Sequence, residues 1–225
     1  MLKGYIMLDY LILPEDLIPD EIKKKIVTII NGIEHNIIPE SYPNEMIKIL
    51  SSICYERREY IRSIMGFSLL ANSWIKPLAK WIKKRKCLEI MAGTGALSKA
   101  LSDNDVSIIA TDNLSWHDTR FDKNNLWYPV IEMDAIRAIE IYGNYVDIVI
   151  VSWAFMDSVL YNCLLRMREI NKKLIILYLG ETIYGCCANY EFFNEANQIV
   201  DKKLLKATHQ YQTWCTVNDT ITLYR

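Results

Sequence analysis

Along this chain the spacing of apolar residues changes near residue 86, from the period of helices to that of short strands alternating with helices. Ile22, Ile26, Ile29, Ile30 and Ile33 fall on one stripe and predict a helix that starts near Pro19-Asp20 and fades at Asn31-Gly32. A second helix is predicted from Ser41-Tyr42-Pro43, carrying Met46, Leu50, Ile53, Ile61 and Ile64 until Gly66 stops it. A third runs from Trp74 to Lys84, with Pro77 expected in its first turn. Beyond it, β-rich runs at Cys87–Met91, Val106–Thr111, Pro129–Met133, Val146–Val151 and Leu174–Leu179 are mostly apolar on both faces, as strands of a buried parallel sheet are. Helical segments at Ala96–Asp103, Ala135–Tyr142 and Ser158–Ile170 lie between them, so the class is α/β. A further helix is expected near Tyr190–Lys203. The tail then reads as two strands, Lys206–Thr216 and Ile221–Arg225, around the turn Val217-Asn218-Asp219-Thr220.

With 225 residues, 51% of them hydrophobic, the chain has apolar material for one sizeable core with an appended element, which excludes a disordered chain. Its 26 Lys and Arg nearly cancel 27 Asp and Glu, so no global field draws it to nucleic acid or an acidic membrane. The basic run Lys80-x-x-Lys83-Lys84-Arg85-Lys86 falls at a helix C-terminus, whose dipole accounts for the cations without a nucleic-acid partner. The apolar stretches are far shorter than the roughly 18–20 residues of a membrane helix. Cys54, Cys87, Cys163, Cys186, Cys187 and Cys215 form no Cys-x-x-Cys pair and are expected as small buried hydrophobes. Met1–Leu13 carries Asp9 and has no basic front, so no signal peptide is expected and a cytoplasmic location is.

The chemistry concentrates at Cys87-Leu88-Glu89-Ile90-Met91-Ala92-Gly93-Thr94-Gly95-Ala96-Leu97, a buried strand running into a Gly-x-Gly turn that opens a helix. Two glycines let the backbone turn tightly and approach a ligand, and the helix N-terminus offers free N–H donors. Asp112, at the end of the next strand, is placed to take both hydroxyls of a ribose. Glu89, just before the turn, would repel a pyrophosphate but attract the ammonium of a methionine moiety. S-adenosylmethionine therefore suits the loop better than NAD or FAD, and a nucleotide-dependent oxidoreductase is the weaker alternative.

These residues resemble the cofactor motifs of class I S-adenosylmethionine-dependent methyltransferases, whose first motif is acid-x-Gly-x-Gly-x-Gly; the chain departs from it at the first glycine, which is Met91. The resemblance covers roughly residues 85–225. It implies a Rossmann-like fold with a mostly parallel seven-stranded sheet and a C-terminal antiparallel hairpin, preceded by a helical cap or lid at 1–84. It also implies that Glu89, Met91, Ala92, Gly93 and Gly95 line the cofactor, with Asp112 and Asn113 at the ribose. Asp134 would face the adenine amino group, Met133 and Ala135 would pack on the ring, and Ser152 and Trp153 would lie beneath the reacting methyl. More narrowly, Leu179-Gly180-Glu181, Gly185-Cys186-Cys187-Ala188-Asn189 and Phe192-Phe193 are similar to a methyltransferase-like subgroup of bacterial and fungal proteins.

Methyl transfer from a sulfonium is a direct displacement, so the protein mainly has to align the reacting groups in a dry pocket, and a base is needed only where the acceptor must lose a proton. Ser152, Asp157 and His117 are the candidate catalytic residues, with Glu181 a candidate for orienting the acceptor. Trp153, Tyr184 and Tyr190 are candidates for walling a planar pocket, and Tyr55, Tyr60, Phe67 and Trp74 for covering it. His35 and His209 show no metal-ligand spacing. The expected function is methyl transfer to a small molecule. The alternatives are a non-catalytic S-adenosylmethionine-binding regulator and an amino-methyltransferase acting on nucleic acid or protein.

Overall fold

The computed structural model describes residues 18–52, 55–115, 125–183, 185–215 and 217–225. Four helices come first: α1 (Asp20–Glu34), α2 (Asn44–Ser52), α3 (Tyr55–Met65) and α4 (Asn72–Ile82). The α/β part then runs β1 (Cys87–Ile90), α5 (Ala96–Ser102), β2 (Ile108–Asp112), β3 (Val130–Glu132), α6 (Ala135–Tyr142), β4 (Ile148–Ser152), α7 (Val159–Ile170) and β5 (Ile175–Gly180). It ends with α8 (Tyr190–Glu195), β6 (Gln198–Ile199), α9 (Lys202–Ala207) and β7 (Thr220–Tyr224). The seven strands form one sheet in the order β3-β2-β1-β4-β5-β7-β6, parallel from β3 to β5, with β7 antiparallel to both β5 and β6. That order, with an antiparallel seventh strand, is the Rossmann-like fold of class I methyltransferases.

Alternation along the strands divides the core between the two faces of the sheet. Ile148, Ile150, Leu177 and Leu179 face one side, where they join Leu97 and Leu101 of α5 and residues of all the first helices, among them Ile26, Leu50, Ile61, Trp74 and Leu78. Val149, Val151, Ile176 and Tyr178 face the other, with Ile139 of α6, Leu160 and Leu164 of α7 and Phe192 of α8.

Several elements differ from those expected of the sequence. The long second helix is two helices flanking residues 53–54, which lie outside the described residues; Gly66, at φ +98°, does end the pair, donating its N–H to the Arg62 carbonyl at 2.9 Å. Pro77 sits in the second turn of α4, because that helix begins at Asn72, whose N–H is taken by the Pro39 carbonyl and whose side chain donates to the Ile38 carbonyl. The expected helix Tyr190–Lys203 is interrupted by β6, and Lys206–Thr216 contains no strand among its described residues. The antiparallel pair at the end of the sheet is present, but its first strand is Gln198–Ile199. Of the described cysteines, Cys87, Cys163 and Cys187 are buried, whereas Cys186 and Cys215 are exposed, and all are free thiols. Among the described residues no helix is long and apolar enough to cross a membrane.

Candidate functional site

The strand order reverses between β1 and β4, and ligands of open α/β sheets bind outside the carboxyl ends of the strands at such a point. A cavity of about 860 Å³ opens there, within the roughly 300–1,000 Å³ typical of small-molecule sites. Every cofactor-site residue expected from the sequence except Gly95 lines it: Glu89, Met91, Ala92, Gly93, Asp112, Asn113, Met133, Asp134, Ala135, Ser152 and Trp153. Gly95 lies behind the wall. A Cβ there would stand 2.9 Å from Val130 Cγ2 and 3.0 Å from Tyr128 Cβ, so this glycine allows the loop to pack on the segment entering β3.

The loop after β1 is tied to β2 through Asp112, which is buried. Its Oδ2 accepts the Gly93 N–H at 2.8 Å and its Oδ1 accepts the Leu114 N–H at 2.7 Å. Two main-chain donors from two loops thus fix the orientation of the carboxylate. Gly93 holds φ +57° and a Cβ on it would meet nothing within 4 Å, so its backbone faces open space. Met91, at the position of the first motif's missing glycine, also holds a left-handed φ of +54°. Trp153, at the end of β4, holds +57°. For non-glycine residues this conformation costs about 1–2 kcal/mol each, and such strain gathers at functional sites.

Glu89 is only 1% exposed and accepts a hydrogen bond from the Ser98 hydroxyl. Burial pushes its carboxyl up to about 8, the Ser98 bonds oppose this, and the nearby Asp112 carboxylate adds to it. Asp134 caps α6, its Oδ1 accepting the Arg137 N–H at 2.9 Å. Asn113 Oδ1 accepts from Ser115, N–H and hydroxyl alike.

α3 and the segment joining it to α4 supply another part of the wall, with Glu59, Arg62, Ser63, Met65, Phe67 and Leu70 lining the cavity. Phe67 stacks on Trp153 with centroids 5.3 Å apart, and the Arg62 guanidinium lies 4.1 Å over Phe67 while donating to Glu59 Oε1 at 2.6 Å. Phe155 and Met156 line it too, 67% and 65% exposed. Asp157 also lines it, its Oδ1 accepting the Val159 N–H at the start of α7.

Other expected residues stand elsewhere. Glu181 is not on the wall; its oxygens accept the N–H groups of Cys186 and Asn218. Tyr190 is exposed on α8, and Trp74 is fully buried beneath the wall, its indole N–H held by the Leu69 carbonyl. Tyr60 does not line the cavity and donates to Glu34 at 2.7 Å. His117, Tyr184 and Cys54 lie outside the described residues, as does the side chain of Tyr55. His35 and His209 lie against main-chain carbonyls, and among the described residues no cluster is arranged to hold a metal ion.

No family model and no curated protein matches the chain. Among solved structures it is similar to an S-adenosylmethionine-dependent methyltransferase from Archaeoglobus fulgidus, at 18% identity and a TM-score of 0.34 over 48% of this chain and 52% of the other. It thus spans about half the length of that protein. A mutant of MtNAS is 12% identical with a TM-score of 0.42, over 80% of this chain and 67% of that one. A candidate O-methyltransferase from Nostoc punctiforme is 15% identical with a TM-score of 0.43, over 89% and 69%. These likenesses are distant, and it is the strand order with its antiparallel β7 that places the chain in the fold.

Ser68, Tyr211 and Asp219 were not singled out by the sequence. Ser68 lines the cavity and its hydroxyl lies 3.2 Å from that of Ser152; Asp219, expected only as a turn residue, is buried behind Trp153. No local pattern marks them, because only the fold brings residues 68, 152, 211 and 219 together.

Proposed function

We propose that this chain is an S-adenosylmethionine-dependent methyltransferase acting on a small, flat, largely uncharged acceptor. The observation that carries the reading is the bond from the Gly93 N–H to Asp112 Oδ2, which joins the glycine loop to the acid of the neighbouring strand on the wall of the cavity. The residues present suit the cofactor: the bare Gly93 faces open space, and Glu89 places a carboxyl at the cavity with Ser98 as its one polar side-chain partner among the described residues. Glu89 would bind the ammonium, Asp112 the ribose hydroxyls and Asp134 the adenine amino group, with Met133 and Ala135 against the ring. When bound, the cofactor supplies an electrophilic methyl group, and the protein's part is to align the acceptor with it and exclude water. The acceptor side is mostly aromatic and aliphatic, through Phe67, Trp153, Phe155, Met156 and Leu70; its charged pair Arg62–Glu59 is internally matched, and Asp157 accepts the Val159 N–H. Residues 1–84, read as a cap, would set acceptor shape.

Titration calorimetry with S-adenosylmethionine and S-adenosylhomocysteine tests the reading. Both are expected to bind, and Asp112→Ala and Gly93→Val to weaken them, the first by losing the loop tie and ribose partner, the second by straining the turn. Absence of binding to either compound at millimolar concentration overturns it.

A further inference from the structure

Running from the cavity wall into the protein, four side chains form a continuous polar chain. The Ser152 hydroxyl, at the carboxyl end of β4, lies 3.2 Å from the Ser68 hydroxyl. Ser68 lies 3.3 Å from the Tyr211 hydroxyl, and Tyr211 lies 2.5 Å from Asp219 Oδ2. Ser152 and Ser68 line the cavity; Asp219 does not, and is 4% exposed. Tyr211 has one proton and two oxygen neighbours. Donating it to the carboxylate leaves its oxygen to accept from Ser68, which in turn accepts from Ser152. Hydroxyl protons can therefore point from the cavity to Asp219 without a break.

The carboxylate at the end is unevenly served. Oδ2 takes Tyr211 and, at 3.3 Å, the Trp153 indole N–H, whereas the buried Oδ1 has no side-chain partner among the described residues. A buried acceptor left unpaired costs about 1–3 kcal/mol, more for a charged group, and the cost falls when the group takes a proton. The groups bearing on Asp219 are Tyr211, Trp153, its own backbone N–H and Glu181. Burial, and after it the Glu181 carboxylate, push the Asp219 carboxyl above the ordinary aspartate range, against the Tyr211, Trp153 and own-backbone donors. No basic side chain is hydrogen-bonded to it among the described residues.

We propose that Asp219 is the proton acceptor of this site, reached through Ser152, Ser68 and Tyr211, and that the methyl acceptor therefore reacts through a protonated O, N or S atom resting on Ser152. The proposal rests on the methyltransferase reading. As the acceptor's lone pair forms its bond to the methyl carbon, the carbon–sulfur bond of the sulfonium donor breaks and its electron pair stays on sulfur as a neutral thioether. The acceptor's proton passes to Ser152, the Ser152 proton to Ser68, the Ser68 proton to Tyr211 and the Tyr211 proton to Asp219 Oδ2. Asp219 ends as a neutral carboxylic acid, and the three hydroxyls are restored.

The test measures transfer of tritiated methyl from S-adenosylmethionine into a low-molecular-weight extract of the cells from which the protein comes, as a function of pH, alongside calorimetry with S-adenosylhomocysteine. Wild-type transfer is expected to rise with pH through the Asp219 ionisation. Asp219→Asn is expected to lose at least about tenfold of the rate and that rising limb, with S-adenosylhomocysteine binding unchanged. Tyr211→Phe and Ser68→Ala break the chain at other points and are expected to lose rate likewise, while Ser68→Thr, which keeps the hydroxyl, restores it; these serve also if Asp219→Asn does not fold. Wild-type rate and pH profile in Tyr211→Phe and Ser68→Ala overturn the proposal, as does a wild-type protein that binds S-adenosylhomocysteine but transfers no methyl at any pH. Failure of the wild type to bind S-adenosylhomocysteine overturns the methyltransferase reading instead.

Discussion

Glu89 carries the site's electrostatics in one side chain. Its carboxyl is held up to about 8 by burial, against 4.5 for an ordinary glutamate. Below 4.5 folded and unfolded chains both hold the proton, and between 4.5 and about 8 only the folded chain does. Its contribution to stability is thus full below 4.5 and lost as pH rises through about 8. Glu89→Gln stays neutral, so its melting temperature is expected to gain on the wild type's as pH rises across that window, and a constant difference would show that Glu89 does not titrate there. A cationic ligand group beside the carboxyl reverses the preference, so S-adenosylmethionine affinity is expected to rise with pH over the same window in the wild type and stay flat in Glu89→Gln. The glycines make a second contrast. Gly95→Ala forces a Cβ against Val130 and Tyr128 at a left-handed φ of +75°, for a loss of about 2–4 kcal/mol. Gly93→Ala meets only the backbone strain, about 1–2 kcal/mol. Urea denaturation checks the order, and equal losses would contradict the packing at Gly95. The sequence marks both glycines through the turn, but not this inequality, because the contact at Gly95 comes from Tyr128 and Val130, far along the chain.

The elements were legible where local chemistry sets them. Glu89, Asp112 and Ser152 stand at or near the ends of parallel strands because short apolar runs flanked by turn residues can be read without tertiary knowledge, and α6 runs over Ala135–Tyr142 as its pattern predicts. The last stretch was not legible. The two residues of β6 are too few for a period, and their pairing with Leu223 and Tyr224 is supplied by the sheet edge. Beyond β6 the path of the chain is set by Asp201, whose Oδ1 accepts the N–H groups of Lys203 and Leu204 at 2.7 and 2.9 Å and starts α9. Its Oδ2 accepts the Trp81 indole N–H at 3.2 Å, which docks α9 on α4. At the same helix end Arg85 lies 3.9 Å over the Trp81 ring and donates to the Trp81 and Ile82 carbonyls, so part of the basic run serves as a helix cap. Loss of cap and dock together makes Asp201→Ala cost about 1–2 kcal/mol in urea denaturation, and Asp201→Asn, which keeps an acceptor, should recover most of it. Equal losses in the two variants would assign the effect to charge.

At the scale of the molecule, the question is whether the first four helices behave as a separate lid. They present their apolar stripes to the same side of the sheet as Ile150, Leu177 and Leu179, and Trp74, Leu78 and Ile82 of α4 are fully buried in that shared cluster. Further ties cross the same boundary. Tyr42 and Gln212 exchange bonds at 2.9 and 2.8 Å, the Trp214 indole N–H donates to the Phe67 carbonyl at 3.1 Å, and Ser68 meets both Ser152 and Tyr211. A lid that opened as a body would break all of these and expose a large apolar face, at about 25 cal/mol for every Å² uncovered. The helices and the sheet are therefore expected to unfold together. Thermal melts followed by tryptophan fluorescence and by far-ultraviolet circular dichroism should coincide, since the described tryptophans divide between α4, the segment before β3, the end of β4 and the segment before β7 while the dichroism reports every helix. S-adenosylhomocysteine should move both curves upward by the same amount, because a ligand of the native state stabilises whatever unfolds as one unit. A first transition that takes the helices and leaves the sheet would instead make residues 1–84 a true domain, and would require access to the cavity to be gated by its opening.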